Sequence, residues 1–338
     1  MTSESMLLSG AVTLTHGFPV LLNLSSPHAL PDAEAVSQWV STHASALATL
    51  LTDSGVLLFR GFPLGSPEAF GSFVAAFRWR DLPYEDSLSL AVRLPVCDRV
   101  CTTNEGRTGG MVFHHEQAAA PRFPARVFFY CDTPAAPGTG GGTGVSPSWI
   151  LLERLAAERP EFLADCEARG LRYRLVLPPT QDATKGVGRS WRSFFSVESR
   201  EACETRMVKL GYTFAWGADD VLEVFSPVLP AVRATPGPRG EATRVFFNQV
   251  IAQVIANAAD FAAQAGDGCA VKPCLTFGDG GALPVEPVEF ANRVCEENAA
   301  EILWEKGDVA LIDNYLAMHA RRPWVGEGPR RVLASLTL

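Results

Sequence analysis

The run Phe113-His114-His115-Glu116 places two imidazoles and a carboxylate at consecutive positions of a 338-residue chain that has only six histidines: His16, His28, His43, His114, His115 and His319. In an extended strand, side chains at i and i+2 share a face. His114 and Glu116 would therefore point together and His115 the opposite way. An imidazole and a carboxylate side by side are two ligands for a divalent metal. One more imidazole completes a two-histidine, one-carboxylate triad, the set that holds non-haem Fe(II) and leaves neighbouring positions open. Two open positions fit a bidentate 2-oxo acid and the third fits O2. A carboxylate ligand, where Ala or Gly would admit a halide, points to oxygenation or desaturation. Alone, the pattern H-x-E equally describes a strand with a hydrogen-bonded core histidine and a solvated glutamate. His16, His28 and His43 fall in N-terminal, loop or helical contexts and are not read as ligands. His115 is either a group supporting the metal ligands or an ordinary packed side chain.

The C-terminal region offers a further imidazole and a cation. It reads Gly307-Asp308-Val309-Ala310-Leu311-Ile312-Asp313-Asn314, then a lone His319, then Pro329-Arg330-Arg331-Val332-Leu333-Ala334-Ser335. This is a strand, a turn, a histidine and a basic pair opening another strand. A 2-oxo diacid needs a cation for its distal carboxylate, and a bidentate guanidinium fits it best. Neighbours on a strand face opposite ways, so only one of Arg330 and Arg331 can serve; the other blunts a strand edge.

These residues need strands to present them. Short β-forming runs are expected at Gly55–Gly61, Val112–Glu116, Ala125–Asp132, Leu171–Leu177, Val221–Phe225, Thr243–Asn248, Asp308–Asp313 and Arg331–Leu338. Helices are expected over Asp32–Leu51, from Pro67 to Phe77 behind a Ser66 cap, and at Pro147–Arg159, Pro160–Arg169, Arg200–Leu210, Val250–Ala265 and Pro287–Asn298. The pattern is mainly β at the core with surrounding helices. It suits a double-stranded β-helix, the cupin-like jelly roll, better than a βαβ sheet. No linker is evident, so residues 1–338 read as a single domain with a partly helical insertion at about 147–242.

In combination these motifs resemble the taurine dioxygenase/TfdA-like Fe(II)/2-oxoglutarate oxygenases, and within them the clavaminate synthase-like proteins. The resemblance rests on Phe113-His-His-Glu-Gln-Ala118, Phe123-Pro-Ala-Arg-Val-Phe-Phe-Tyr-Cys131, Gly141-Gly-Thr143, Phe246-Phe-Asn248, Thr276-Phe-Gly-Asp-Gly280 and Asp308 to Leu336, in that order, and spans the chain from about Gly55 to its end. It implies iron ligation by His114, Glu116 and His319, and a contact from Thr143 to 2-oxoglutarate. It implies Arg331 as partner of the distal carboxylate, with Arg330 as the alternative one register away. Some relatives carry a second arginine four positions later for an anionic substrate group; counted from Arg331 that position is Ser335. The implied reaction consumes 2-oxoglutarate and O2, releases succinate and CO2, and oxidises an unactivated C–H bond of a small molecule, an amino acid or related metabolite.

Other positions say less. Asn104-Glu105 precedes the metal strand and could line the substrate mouth or form a turn. Asn248 could bond substrate or satisfy a backbone group. Arg189-Ser-Trp191 lies in the insertion, where a lid or ordinary packing are both open. Gly138–Gly144 lacks the Gly-Lys-Ser/Thr ending of a phosphate loop. Two further readings compete: a cupin-like metal enzyme without a 2-oxo acid, and a non-catalytic metal-binding protein of this fold. Neither needs Thr143 and an arginine clamp together with the triad.

The bulk properties set limits. The net charge is −8, and no basic run exceeds a pair, so nucleic acid is an unexpected partner. The eight cysteines form no C-x-x-C pair, there is no signal-like N-terminus, and no apolar run is long enough to span a bilayer. A cytoplasmic protein without a membrane partner is expected; the oligomeric state stays open.

Overall fold

The computed structural model describes residues 11–103, 109–182, 188–237, 242–257, 273–325 and 328–338. The chain opens with β1 (Val12–Thr15), β2 (Val20–Leu24), α1 (Ala33–Ser54), β3 (Val56–Arg60) and α2 (Pro67–Ala76). Five strands follow: β4 (Pro95–Cys97), β5 (Val100–Thr102), β6 (Met111–His114), β7 (Arg126–Thr133) and β8 (Thr143–Pro147). A mixed stretch holds α3 (Ser148–Glu158), α4 (Pro160–Arg169), β9 (Leu171–Leu177), α5 (Trp191–Phe195), α6 (Arg200–Leu210), β10 (Thr213–Trp216), β11 (Leu222–Phe225) and β12 (Arg233–Pro236). The chain ends with β13 (Ala242–Val245), α7 (Val250–Ala256), β14 (Leu275–Phe277), α8 (Val285–Glu297), β15 (Ala300–Ile302), β16 (Val309–Asp313), β17 (Ala317–Arg321) and β18 (Arg331–Thr337).

Helix boundaries follow local chemistry. The Asp32 side chain accepts a hydrogen bond from the Ala35 amide at 2.9 Å and starts α1; Gly55, at φ +77°, ends it. Ser66 caps α2 and Pro67 occupies its first turn, as the sequence predicts.

Two sheets face each other. The larger has eight strands in the order β1-β2-β3-β16-β7-β18-β5-β4, the smaller four in the order β15-β8-β17-β6. Strand alternation sorts their side chains. Val56, Leu58, Val127, Phe129, Ala310, Ile312, Val332 and Ala334 of the larger sheet share one apolar cluster with Val145, Ile302 and Ala317 of the smaller. The intervening residues Leu57, Phe59, Phe128, Tyr130, Leu311 and Leu333 turn outward against α1 and α2. On the other side, Phe113, Met318 and Ala320 of the smaller sheet pack on α3, α7 and α8. The site strands are thus clamped between an apolar core and a helical layer, and each large apolar side chain so buried stabilises by roughly 1.5–3 kcal/mol.

The expected insertion is not closed on itself. Its strands β10, β11 and β9 form a sheet with β14, which lies beyond residue 242. No helix among the described residues is long and apolar enough to cross a membrane.

Candidate metal centre

Register brings the two ligand histidines together. β17 pairs antiparallel with β6 so that His319 stands directly opposite His114, and cross-strand partners share a face. Their ring centroids are 4.4 Å apart. Ligand atoms of His114, Glu116 and His319 all lie within 4.8 Å of one another, and all three residues are buried. His114 donates from Nδ1 to the Val112 carbonyl at 2.9 Å. A carbonyl can only accept, so this bond fixes the neutral tautomer with Nε2 free to ligate. Burial and the neighbouring His319 push the His114 pKa down to about 4, which keeps the ring unprotonated at neutral pH. His319 Nε2 stands 3.6 Å from Glu116 Oε2, and His319 Nδ1 has no partner among the described residues.

Glu116 reaches the site by a route that simple alternation does not describe. β6 stops at His114, Glu116 sits in the turn that follows, and Gln117 has a positive φ of 57°. Strand pairing is replaced by one buried side chain. Asn314 Oδ1 accepts from the Glu116 amide at 2.8 Å, and Asn314 Nδ2 donates to the carbonyls of Glu116 and Pro124 at 3.0 and 2.8 Å. Asn314 thereby holds the carboxylate residue against the end of β16. Asn314→Ala should cost about 2–3 kcal/mol through unpaired backbone groups and weaken divalent metal binding about tenfold. Urea unfolding and metal titration measure the two effects, and a variant that binds metal like wild type would remove this role.

The carboxylate has a counter-charge. Arg93 Nη2 donates to Glu116 Oε1 at 2.8 Å, with side chains only 9% and 7% exposed. Burial alone would raise the Glu116 carboxyl; the Arg93 guanidinium and the two imidazoles outweigh it and hold it well below the usual carboxylate range. One carboxylate oxygen is thus engaged by Arg93 and the other faces His319.

His115 points away, as the strand argument predicts. It donates from Nδ1 to the Asn248 carbonyl at 3.1 Å, and Ser148 Oγ lies 2.8 Å from its Nε2. Burial pushes its pKa down to about 3, so it is a neutral tie between β6, α3 and the start of α7.

A cavity opens above the triad, with Arg93, Met111, Phe129, Thr143 and Arg330 on its walls. The structure places Arg330 there and turns Arg331 away. Arg330 shares the face of Val332, which also lines the cavity, and donates from Nε to the Gly141 carbonyl at 2.8 Å. Arg331 pairs with Asp132 at 3.2 Å and is 38% exposed. Thr143 Oγ1 accepts from Trp304 Nε1 at 3.0 Å.

Of the softer candidates, those among the described residues make their contacts away from the metal ligands. Asn248 spends its side chain on backbone, donating to the Ala231 carbonyl and accepting from the Val250 amide. Ser335 stands opposite Phe128 in the β7–β18 ladder, on the helix-covered face away from the triad. Asn104 and Glu105 lie outside the described residues. Arg189 is buried and ties the 84–89 segment to Ser193. Arg93, Asn314, Ser148 and Trp304 were not singled out from the sequence. No motif surrounds Arg93; Asn314 and Trp304 lie in or beside the Gly307–His319 run, where polar residues flanking a strand are the only signal.

A sequence profile of the taurine catabolism dioxygenase TauD, TfdA family matches residues 30–337. The chain belongs to the TauD/TfdA family. A clavaminate synthase-like protein of Arabidopsis thaliana is 35% identical, over 94% of this chain and 93% of that protein. The dapdiamide synthesis protein DdaC of Enterobacter agglomerans is 26% identical, over 88% and 86%. Among solved structures, a taurine dioxygenase from Burkholderia xenovorans aligns with a TM-score of 0.51 at 16% identity, covering 97% of this chain and 89% of that one. AAD-2, solved with Mn(II) and N-oxalylglycine, aligns with a TM-score of 0.50 at 13% identity, covering 96% and 97%. These likenesses place the two facing sheets and their helices in the TauD-type fold.

Proposed function

We propose that the chain is an Fe(II)- and 2-oxoglutarate-dependent oxygenase that hydroxylates or desaturates an unactivated C–H bond of a small molecule, in a double-stranded β-helix formed by the two facing sheets. The observation that carries this reading is the buried convergence of His114, Glu116 and His319 beneath a wall that bears Arg330 and Thr143. Two neutral-capable imidazoles and one ionised carboxylate fit a ferrous ion and leave positions for a chelating oxo acid and O2. Bound iron supplies O2 activation, coupling decarboxylation of 2-oxoglutarate to succinate and CO2 with oxidation of the C–H bond.

The chain's own residues do the rest. Arg330, on the cavity wall, offers its guanidinium to the distal carboxylate, and Thr143 offers a hydroxyl beside it. Arg93 keeps Glu116 ionised and one of its oxygens turned to the metal position. Phe129, whose ring lies 5.1 Å from that of His319, and Val332 wall the site with apolar surface that limits water. The substrate class, an amino acid or related metabolite, rests on the family resemblance. The buried free thiols Cys131, Cys166, Cys203 and Cys295 support a reducing compartment, which we read as the cytoplasm.

The purified protein with Fe(II), 2-oxoglutarate and O2 should release succinate slowly on its own and faster with a matching amino acid. A chelator should stop both. Absence of any 2-oxoglutarate binding or turnover in the iron-loaded protein would end this reading.

A further inference from the structure

We infer that Trp304 is a positioning residue for the co-substrate: it fixes the polarity of the Thr143 hydroxyl. The inference rests on the 2-oxoglutarate reading above. An indole N–H can only donate. Because Trp304 Nε1 donates to Thr143 Oγ1 at 3.0 Å, the hydroxyl acts there as acceptor and its own proton must point elsewhere. Among the described residues no acceptor takes that proton, and Thr143, 6% exposed, lines the cavity above the triad. A carboxylate can only accept. The pairing therefore converts a hydroxyl that could present either a lone pair or a proton into a standing donor. It stands on the same wall as the Arg330 guanidinium, in a cavity where Glu116, the one acidic wall residue among the described residues, is already engaged by Arg93. Preorganised donors aimed at an anion need no reorientation when it arrives.

Strand geometry places the indole. Thr143 begins β8 and stands opposite Ile302 of β15. Trp304 follows Ile302 by two positions, so it continues the face on which Ile302 meets the core between the sheets, and it packs against that same cluster. The indole is therefore anchored by apolar contact before any ligand binds, with its N–H at the beginning of β8.

The test compares wild type, Trp304→Phe, Thr143→Val and the double variant, loaded with Mn(II), by calorimetric titration with 2-oxoglutarate and with 2-oxopentanoate, which lacks the distal carboxylate. Trp304→Phe should weaken 2-oxoglutarate about tenfold and leave 2-oxopentanoate within about twofold. In the Thr143→Val background it should add less than about twofold. In turnover, the loss should fall on KM for 2-oxoglutarate more than on kcat. Equal weakening of both ligands, or a full tenfold loss added to Thr143→Val, would assign Trp304 to general packing and overturn the inference. If Trp304→Phe does not fold, the Zn(II)-loaded wild-type protein carries the test by NMR of its 15N-labelled indoles. The indole signal displaced by Thr143→Val should shift with 2-oxoglutarate and not with 2-oxopentanoate. An identical response to both ligands would overturn the inference. Wild-type protein that binds no 2-oxoglutarate would instead sink the functional reading itself, whereas unchanged binding by Trp304→Phe sinks only the role of Trp304.

Discussion

Arg330→Ala should raise the dissociation constant for 2-oxoglutarate by about 10²- to 10³-fold, while Arg331→Ala should change it by less than about threefold. The two residues are neighbours in sequence, and alternation along β18 separates them. Val332 and Ala334 face the core between the sheets, and Leu333 faces the helices. Arg330 belongs with the first set and lines the cavity; Arg331 belongs with the second and meets Asp132 near the surface. The β7–β18 ladder is irregular between Arg331, opposite Thr133, and Val332, opposite Cys131, so the cavity lining and the Asp132 pair, rather than strand alternation alone, separate the two arginines. Gly141 fits the assignment. At φ +75°, it brings its carbonyl to Arg330 Nε, and a Cβ there would stand 2.8 Å from that nitrogen. The bond to Gly141 uses Nε and holds the guanidinium at the cavity wall. Losing a charged partner of a carboxylate in the cavity costs several kcal/mol, whereas a half-buried pair at the rim such as Arg331–Asp132 contributes about 1 kcal/mol. Calorimetric titration of metal-loaded variants reads both. A large loss for Arg331→Ala with little for Arg330→Ala would return the clamp to the residue the resemblance first suggested.

What the sequence discloses and what it withholds divide along a physical line. His114 and Glu116 were legible because their i, i+2 spacing in a strand-like run suggests a shared face, although Glu116 reaches the site from the turn that follows β6. That Glu116 leaves β6 was not legible, because the cause is Asn314, some 198 positions away. The convergence of His319 on His114 was expected from residue type and the family resemblance; the register that produces it depends on pairing between β6 and β17. The core of two apolar-faced sheets was readable from β-forming runs, and the helical layers from apolar spacing over Asp32–Leu51 and the capping signal at Ser66. The choice between Arg330 and Arg331 turns on a one-residue register, which a sequence without its ladder cannot fix. Asn248 was chosen as a polar residue within a motif and Ser335 by its place four positions after Arg331, and their structural partners are backbone and helix-facing core. Arg93 had no signal at all: it lies in an irregular segment, pinned by the Thr102 amide to the Leu94 carbonyl at 2.9 Å and by the Leu94 amide to Thr102 Oγ1 at 3.0 Å.

Arg93→Met should lower the stability of the metal-free protein by about 3–5 kcal/mol, and a divalent metal should restore most of the loss. The reasoning starts from Glu116, a carboxylate 7% exposed that sits among imidazoles and apolar rings. Its ionised form is costly there unless a positive charge lies close, and Arg93 Nη2, at 2.8 Å, is the counter-charge the described residues supply. Methionine fills similar volume without charge, so the substitution tests the charge more than the packing. Arg93 is not a well-satisfied structural guanidinium: beyond Glu116 it has beside it the Cys101 thiol, a weak acceptor, and its Nε and Nη1 find no oxygen partner among the described residues. Two idle donors reduce what the pair contributes in net terms, yet removing one partner still strands the other, which is the larger effect. A metal bound by His114, Glu116 and His319 supplies the missing positive charge, so the deficit should shrink as metal is added. Urea unfolding with and without Mn(II) measures both stabilities. Glu116→Gln in the Arg93→Met background should recover stability in the metal-free protein, because the stranded charge is gone. If metal-free Arg93→Met unfolds within about 1 kcal/mol of wild type, Glu116 does not depend on Arg93, and the electrostatic account of this centre fails at its first step.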